Sequence, residues 1–310
     1  MSRVITFLAK QTGLRESDVR SIILRAPRSY KFYSIPKRSG GQRQIAQPAR
    51  EVKALQRLFV RGLERLPIHE SATAYRRGVS IKENALRHAD SGPITKFDFK
   101  DFFPSIRSHD WVRYCEDNKV FEDAVDIEIS TLLLFHRARK ASEALTLAIG
   151  APSSPWLSNV LMYDFDRMLS EEVKRDKIIY TRYADDLTFS APRTGHLTRV
   201  EPALLRAIGD TQYPNLRINA AKSVTATPKY RRVVTGLVLA LDGKVTVGRE
   251  RKRQIRSMLH HASLGHLDTE EIEKLKGLVA FAYDIEPEYF RNAVEKLGDA
   301  LPQSIRSIVL

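Results

Sequence analysis

The sequence predicts an α+β fold with a helical C-terminal subdomain. Three features lead there. Strand-like and helix-like segments are mixed without regular strand-helix alternation. An apolar strand-turn-strand over residues 178–190 stands between helical stretches. From residue 249 to 298 the spacing reads as two or three consecutive helices.

Taken in order, residues 1–26 read as two short helices broken near Gly13, with Val19, Ile22 and Ile23 on one face. Residues 30–47 read as a basic hairpin: Tyr30, Phe32 and Ile35 precede a Ser39-Gly40-Gly41 turn. Over 49–66, Val52, Leu55, Leu58, Phe59 and Leu63 recur at helical spacing. A helix is expected over 80–89, a strand over 94–99, and mostly helix over 108–135. Ser154 and Pro155 start one long helix running to Val173. A further helix falls near 196–209, and short strands cover 216–219, 222–227, 232–241 and 244–247.

The 310 residues are 43% hydrophobic and 28% charged, enough for a sizeable core in one large domain or two to three packed subdomains. The net charge of +14 favours a polyanionic partner, nucleic acid or an anionic membrane surface. No apolar run approaches a membrane span. With Cys115 as the single cysteine, an intrachain disulfide and a cysteine-rich zinc site are both excluded, and a cytoplasmic location is the simplest expectation.

The chemistry centres on carboxylates. Asp185 and Asp186 sit where the 178–190 hairpin turns. Adjacent carboxylates repel, so a fold keeps them at a solvated turn or where a divalent cation neutralises them. Asp98 ends an apolar strand in Lys96-Phe97-Asp98-Phe99. Alone, a strand-end Asp is more often a helix cap than a ligand. If its strand neighbours the hairpin, the carboxylates could hold two divalent metals for in-line phosphoryl transfer. Magnesium suits such all-oxygen ligands, and manganese can replace it. Ile149-Gly150-Ala151-Pro152-Ser153-Ser154-Pro155 leads into a helix, where glycine permits close backbone approach and the helix N-terminus favours anions. Taken alone, that segment is equally a capped loop.

An Asp followed five residues later by an aromatic, then Gly-x-x-x-Ser-Pro, then Tyr-x-Asp-Asp resembles a reverse transcriptase, over roughly residues 30–240. The resemblance implies a right-hand polymerase with fingers, an antiparallel palm sheet with helices, and a helical thumb. It implies an N-terminal helical extension over 1–29, part of the fingers over 30–95, a palm over 96–230 with a fingers insertion at about 108–150, and palm end and thumb over 231–310. Position by position, Asp98, Asp185 and Asp186 resemble the metal-binding catalytic triad, with the Phe99 carbonyl as an additional ligand. Phe103 matches the steric gate against a ribose 2′-hydroxyl. Arg43 resembles the fingers arginine on the incoming triphosphate, with Lys37 assisting, Gly150 approaching the nucleotide, and Lys222 as the proton donor to pyrophosphate.

Asn84-Ala85-Leu86-Arg87-His88 and Val234-Thr235-Gly236 resemble two signatures of retron reverse transcriptases. The retron resemblance implies a cognate structured noncoding RNA as template, deoxynucleoside triphosphates as substrates, and a start from a 2′-hydroxyl branch. The product would be multicopy single-stranded DNA, and the setting anti-phage defence with an accessory effector protein. Asn84, His88, Val234, Thr235 and Gly236 would then serve RNA binding. One position departs from the pattern: Ile149 stands where many retron and group II enzymes carry Gln, and looser base selection is expected. In the segment 249–256, Arg249, Lys252, Arg253 and Arg256 share one helical face beside an apolar stripe, as expected of an RNA-tracking thumb helix. A non-retron bacterial reverse transcriptase (group II-like, diversity-generating or abortive-infection type) is one alternative. A noncatalytic RNA-binding scaffold is another; a membrane-surface protein is disfavoured because the basic helix has little exposed aromatic content.

Overall fold

The computed structural model describes residues 2–37, 40–138 and 144–309. Ser39 of the expected hairpin turn lies outside the described residues. The chain divides into two compact units, one from 1–77, 96–188 and 198–224, the other from 78–95, 189–197 and 225–310.

In the first unit, helices Arg3–Thr12 and Glu16–Arg25 are separated at Gly13, whose φ of 74° lets its N–H return to the Ala9 carbonyl. Strands Tyr30–Pro36 and Gln42–Pro48 pair antiparallel, with Ile35 opposite Arg43. Helix Arg50–Gly62 buries Val52, Leu55 and Phe59, the face its spacing predicted.

The expected long helix from Pro155 is two helices, Ser154–Leu161 and Tyr163–Lys174. Met162 interrupts them at φ −88° and ψ 3°, and Asp164 and Asp166 begin a fresh first turn, where carboxylates suit the helix dipole. A four-stranded sheet orders Ile179–Tyr183, Asp186–Ser190, Ile94–Asp98 and Val224–Ala226. Residues 216–219 do not form the expected strand. Ile218 makes one isolated antiparallel bridge to Phe99, and a 3-10 turn, Ala220–Lys222, delays the next strand to Val224.

In the second unit, the Ser80 hydroxyl and Glu83 carboxylate form a reciprocal cap on helix Ile81–Leu86. The expected strand over 232–241 is a hairpin, Arg232–Val234 with Leu237–Leu239. Thr235 and Gly236 turn it at φ 47° and 81°, the double left-handed geometry that matches strand twist in two-residue hairpins. Helices Arg249–Ser263, Thr269–Ile285 and Pro287–Glu295 follow, and bury Ile255, Leu259, Leu275, Val279, Phe290 and Val294 in one core.

Candidate active site and nucleic-acid face

The site in the first unit is built at neighbouring strand ends. Strand Ile94–Asp98 lies beside strand Asp186–Ser190, and the Phe99 N–H donates to the Asp185 carbonyl at 3.1 Å. Asp98 is thereby set beside the turn that carries Asp185 and Asp186. Its side chain is buried and held from the other flank: the Asn219 N–H donates to the Asp98 carbonyl at 2.7 Å, and Asn219 Nδ2 to Asp98 Oδ1 at 3.3 Å. Lys222 Nζ donates to both Asp98 carboxylate oxygens at 2.9 Å. Lys96 Nζ stands 3.9 Å from Asp186 Oδ2.

Electrostatics mark these carboxylates as a charge excess. Burial, then repulsion from Asp98, raises the Asp185 carboxyl above its ordinary range. Burial raises Asp186 as well, against the opposing pull of Lys96. The hydrogen bond to Asp98 raises the Lys222 ammonium. The donor chemistry therefore suits a hard divalent cation, and an ammonium already answers part of that demand. Among the described residues no group of three or more His, Cys, Asp and Glu side chains is gathered closely enough to hold a metal ion.

The other predicted residues of this unit divide. Phe103 is half-buried, its ring 5.4 Å from that of Phe102. The Phe99 ring is buried and stacks on Phe102. Lys37 and Arg43 are exposed on the hairpin, and Arg43 lies within electrostatic range of Tyr75, as does Asp185. Gly150 has φ 124°, but the backbone that approaches it belongs to the protein: a Cβ there would stand 3.0 Å from the Ala46 carbonyl oxygen. The Ile149 carbonyl accepts the Ala46 N–H at 2.8 Å. A glycine at position 150 thus lets the loop pack closely on strand Gln42–Pro48.

In the second unit the retron-like signatures are interior. Asn84, His88 and Val234 are fully buried. In this conformation none of these three side chains is presented to solvent, where RNA would meet it. His88 Nδ1 is 2.7 Å from Ser190 Oγ, and burial followed by the Arg87 charge pushes its pKa down to about 3. Thr235 Oγ1 donates to the Ile81 carbonyl at 3.2 Å, tying the hairpin turn to the capped helix, and Gly236 supplies the positive φ beside it. On helix Arg249–Ser263, Arg249, Arg253 and Arg256 are exposed. Lys252 is not part of that free face. Its Nζ is 2.5 Å from Glu286 Oε1 and 4.1 Å from the centre of the Tyr289 ring. Glu286 Oε2 also accepts the Val247 N–H at 2.9 Å, so Lys252 belongs to an internal anchor.

Two residues at the carboxylates, Lys96 and Asn219, were not expected from the sequence. Lys96 had a signal, because residues two apart share a strand face and Asp98 is its partner in that spacing. Asn219 reaches Asp98 through tertiary packing and had none.

Among the described residues no helix is long and apolar enough to cross a membrane. Residues 35–259 match the family model for reverse transcriptase (RNA-dependent DNA polymerase). The chain is 38% identical over 283 residues to the retron Ec83 reverse transcriptase of Escherichia coli, covering 89% of each. It is 34% identical to the retron Ec73 reverse transcriptase of Escherichia coli over 93% of each chain, and 33% identical to the retron Mx162 reverse transcriptase of Myxococcus xanthus over 96% of this chain and 68% of that one. Among solved structures, a foamy viral protease-reverse transcriptase in complex with double-stranded DNA superposes with a TM-score of 0.50 at 13% identity, over 91% of this chain and 43% of that one. That likeness is one of fold, and the fold is the right-hand polymerase. With carboxylates at adjoining strand ends and the two Escherichia coli relatives matched over 89% and 93% of their length, the chain belongs to the reverse transcriptase family, as an RNA-directed DNA polymerase of a retron.

Proposed function

We propose that this enzyme reverse transcribes a cognate structured noncoding RNA from a 2′-hydroxyl branch and makes multicopy single-stranded DNA, in an anti-phage setting with an accessory effector protein. The observation that carries the catalytic part is the meeting of Asp98 with the Asp185-Asp186 turn, bridged in charge by Lys222. Drawn closer together than in this structure, Asp98, Asp185, Asp186 and the Phe99 carbonyl would hold two divalent ions, magnesium or manganese. When bound, such ions would activate the attacking hydroxyl and stabilise the leaving pyrophosphate.

The protein's own residues do the rest. Lys222, released from Asp98, is the ammonium that gives a proton to pyrophosphate. Phe103 presents its ring toward the sugar and selects deoxynucleotides. Arg43 and Lys37, exposed on the hairpin, bind the triphosphate as charge-assisted donors. Arg249, Arg253 and Arg256 track RNA phosphates, so that affinity falls with salt. In this reading, the hairpin belongs to the fingers, the four-stranded sheet to the palm and the C-terminal helices to the thumb. The excess of basic residues and the relatives' family support nucleic-acid partners, and the single cysteine supports a cytoplasmic home.

The deciding experiment is to purify the protein from its native host and sequence the bound nucleic acid before and after RNase. A single short DNA joined to one structured RNA is expected. A heterogeneous RNA pool with no DNA would overturn the retron-product reading. The double substitution Asp185→Asn with Asp186→Asn should abolish the DNA; an unchanged yield would favour a scaffold.

A further inference from the structure

The first unit holds an ion pair that the catalytic chemistry does not use. Arg182 and Asp166 are both completely buried. Arg182 Nη2 donates to Asp166 Oδ2 at 2.6 Å, and Nε to Asp166 Oδ1 at 2.8 Å. The Tyr180 hydroxyl donates to the same Oδ1 at 2.7 Å. The remaining nitrogen, Nη1, donates to Asn159 Oδ1 at 3.2 Å and to the Ala184 carbonyl at 3.1 Å. Asn159 in turn donates to the Ala74 carbonyl at 2.8 Å.

The bond to Ala184 separates this network from an ordinary core bridge. Ala184 has φ 58°, a conformation that crowds its Cβ, and it immediately precedes Asp185. The peptide joining Ala184 to Asp185 is gripped by Arg182, and the Asp185 carbonyl receives the Phe99 N–H at 3.1 Å. Asp185 is thus fixed on both sides, once by the buried guanidinium and once by the residue after Asp98. The Arg182 backbone is itself stapled, its N–H donating to the Ser71 carbonyl at 2.7 Å and its carbonyl accepting the Thr73 N–H at 2.8 Å.

We infer that Arg182 is a positioning residue for the polymerase reaction: its fork, braced by Asp166, Tyr180 and Asn159, holds the left-handed Ala184 turn and so aims the Asp185 carboxylate. A buried ion pair is seldom the cheapest way to stabilise a core, since apolar residues of similar volume often do as well. A planar fork, however, can grip a carboxylate and a main-chain carbonyl together, which no apolar side chain does. This inference rests on the reading of Asp185 as catalytic.

The test measures incorporation of one deoxynucleotide on a DNA-primed RNA template, with thermal unfolding in parallel. Arg182→Lys keeps the charge beside Asp166 and loses the fork. It should fold, lower kcat roughly tenfold to hundredfold, and leave the nucleotide KM within about twofold, as misplacement of a reacting group does. Adding Ala184→Gly should restore part of kcat, because glycine adopts φ 58° without a Cβ to crowd. An Arg182→Lys protein at full activity, or a loss that Ala184→Gly leaves untouched, overturns the inference. If Arg182→Lys does not fold, the apolar replacement Asp166→Leu/Tyr180→Phe/Arg182→Met takes its place. Folded and impaired supports the inference, and folded and fully active overturns it. If neither variant folds, the network is a folding element and the positioning role is overturned. An Asp185→Asn control separates the two readings: activity retained there refutes Asp185 as catalytic, whatever Arg182 does.

Discussion

Two acidic clusters lie within one unit and meet opposite electrostatic fates. Asp166 is sealed from water, and Arg182 and Tyr180 satisfy it at 2.6–2.8 Å. Asp98, Asp185 and Asp186 share two lysines, and two of them sit above their ordinary pKa. The first cluster is complete without a ligand; the second retains a demand for cations. Burial of charge therefore does not mark function by itself. In the proposed function, what marks the site is charge left partly unanswered at a turn that rigid strands hold in place.

The sharpest way to break the comparison is Asp166→Leu alone. It leaves the Arg182 guanidinium buried without its partner, and should cost about 3–5 kcal/mol of stability. Urea unfolding that shows a loss below about 1 kcal/mol would mean that the network is not the sealed unit its distances indicate.

Per pH unit a smaller effect is expected in the second unit, where His88 is buried and held neutral. Its folded pKa, about 3, lies below the ordinary value of 6.5. Protonation therefore opposes folding, and stability falls as pH drops below about 6.5 toward 3, by up to about 1.4 kcal/mol per pH unit. His88→Asn should flatten that limb of a pH series of unfolding curves. An unchanged slope would relocate the acid sensitivity to other groups.

The smallest expected change concerns the unanswered cluster. Raised carboxyl pKa values mean that the ionised Asp185 opposes folding above its folded pKa, and that this burden is relieved as pH falls. Asp185→Asn should thus raise the thermal midpoint of the metal-free protein at neutral pH by a few degrees or less, roughly what 1 kcal/mol gives at this size. A lowered midpoint would show that the carboxylate does structural service in the turn.

Much of this was legible beforehand. The hairpin carrying Asp185 and Asp186 follows from β-branched and aromatic flanks around a polar turn, and the face of helix Arg50–Gly62 follows from its spacing. The break at Met162 was not legible, since no proline or glycine announces it. Val234-Thr235-Gly236 was visible as a motif, but its physical content is a two-residue turn at positive φ, which a reading of 232–241 as one strand concealed. Lys252 looked like its neighbours on the helical wheel. Only the packed chain shows Glu286 and Tyr289 claiming it.

Which groups could do chemistry was readable along the chain, because residue type sets charge and ligand hardness, and local spacing sets strand, turn and helix. Tertiary structure decided which of those groups meet. Asp98 finds Lys222 across 124 positions and Arg182 finds Asp166 across 16. Contacts of that kind depend on strand order and on which side chains lose water together, and short-range periodicity encodes neither.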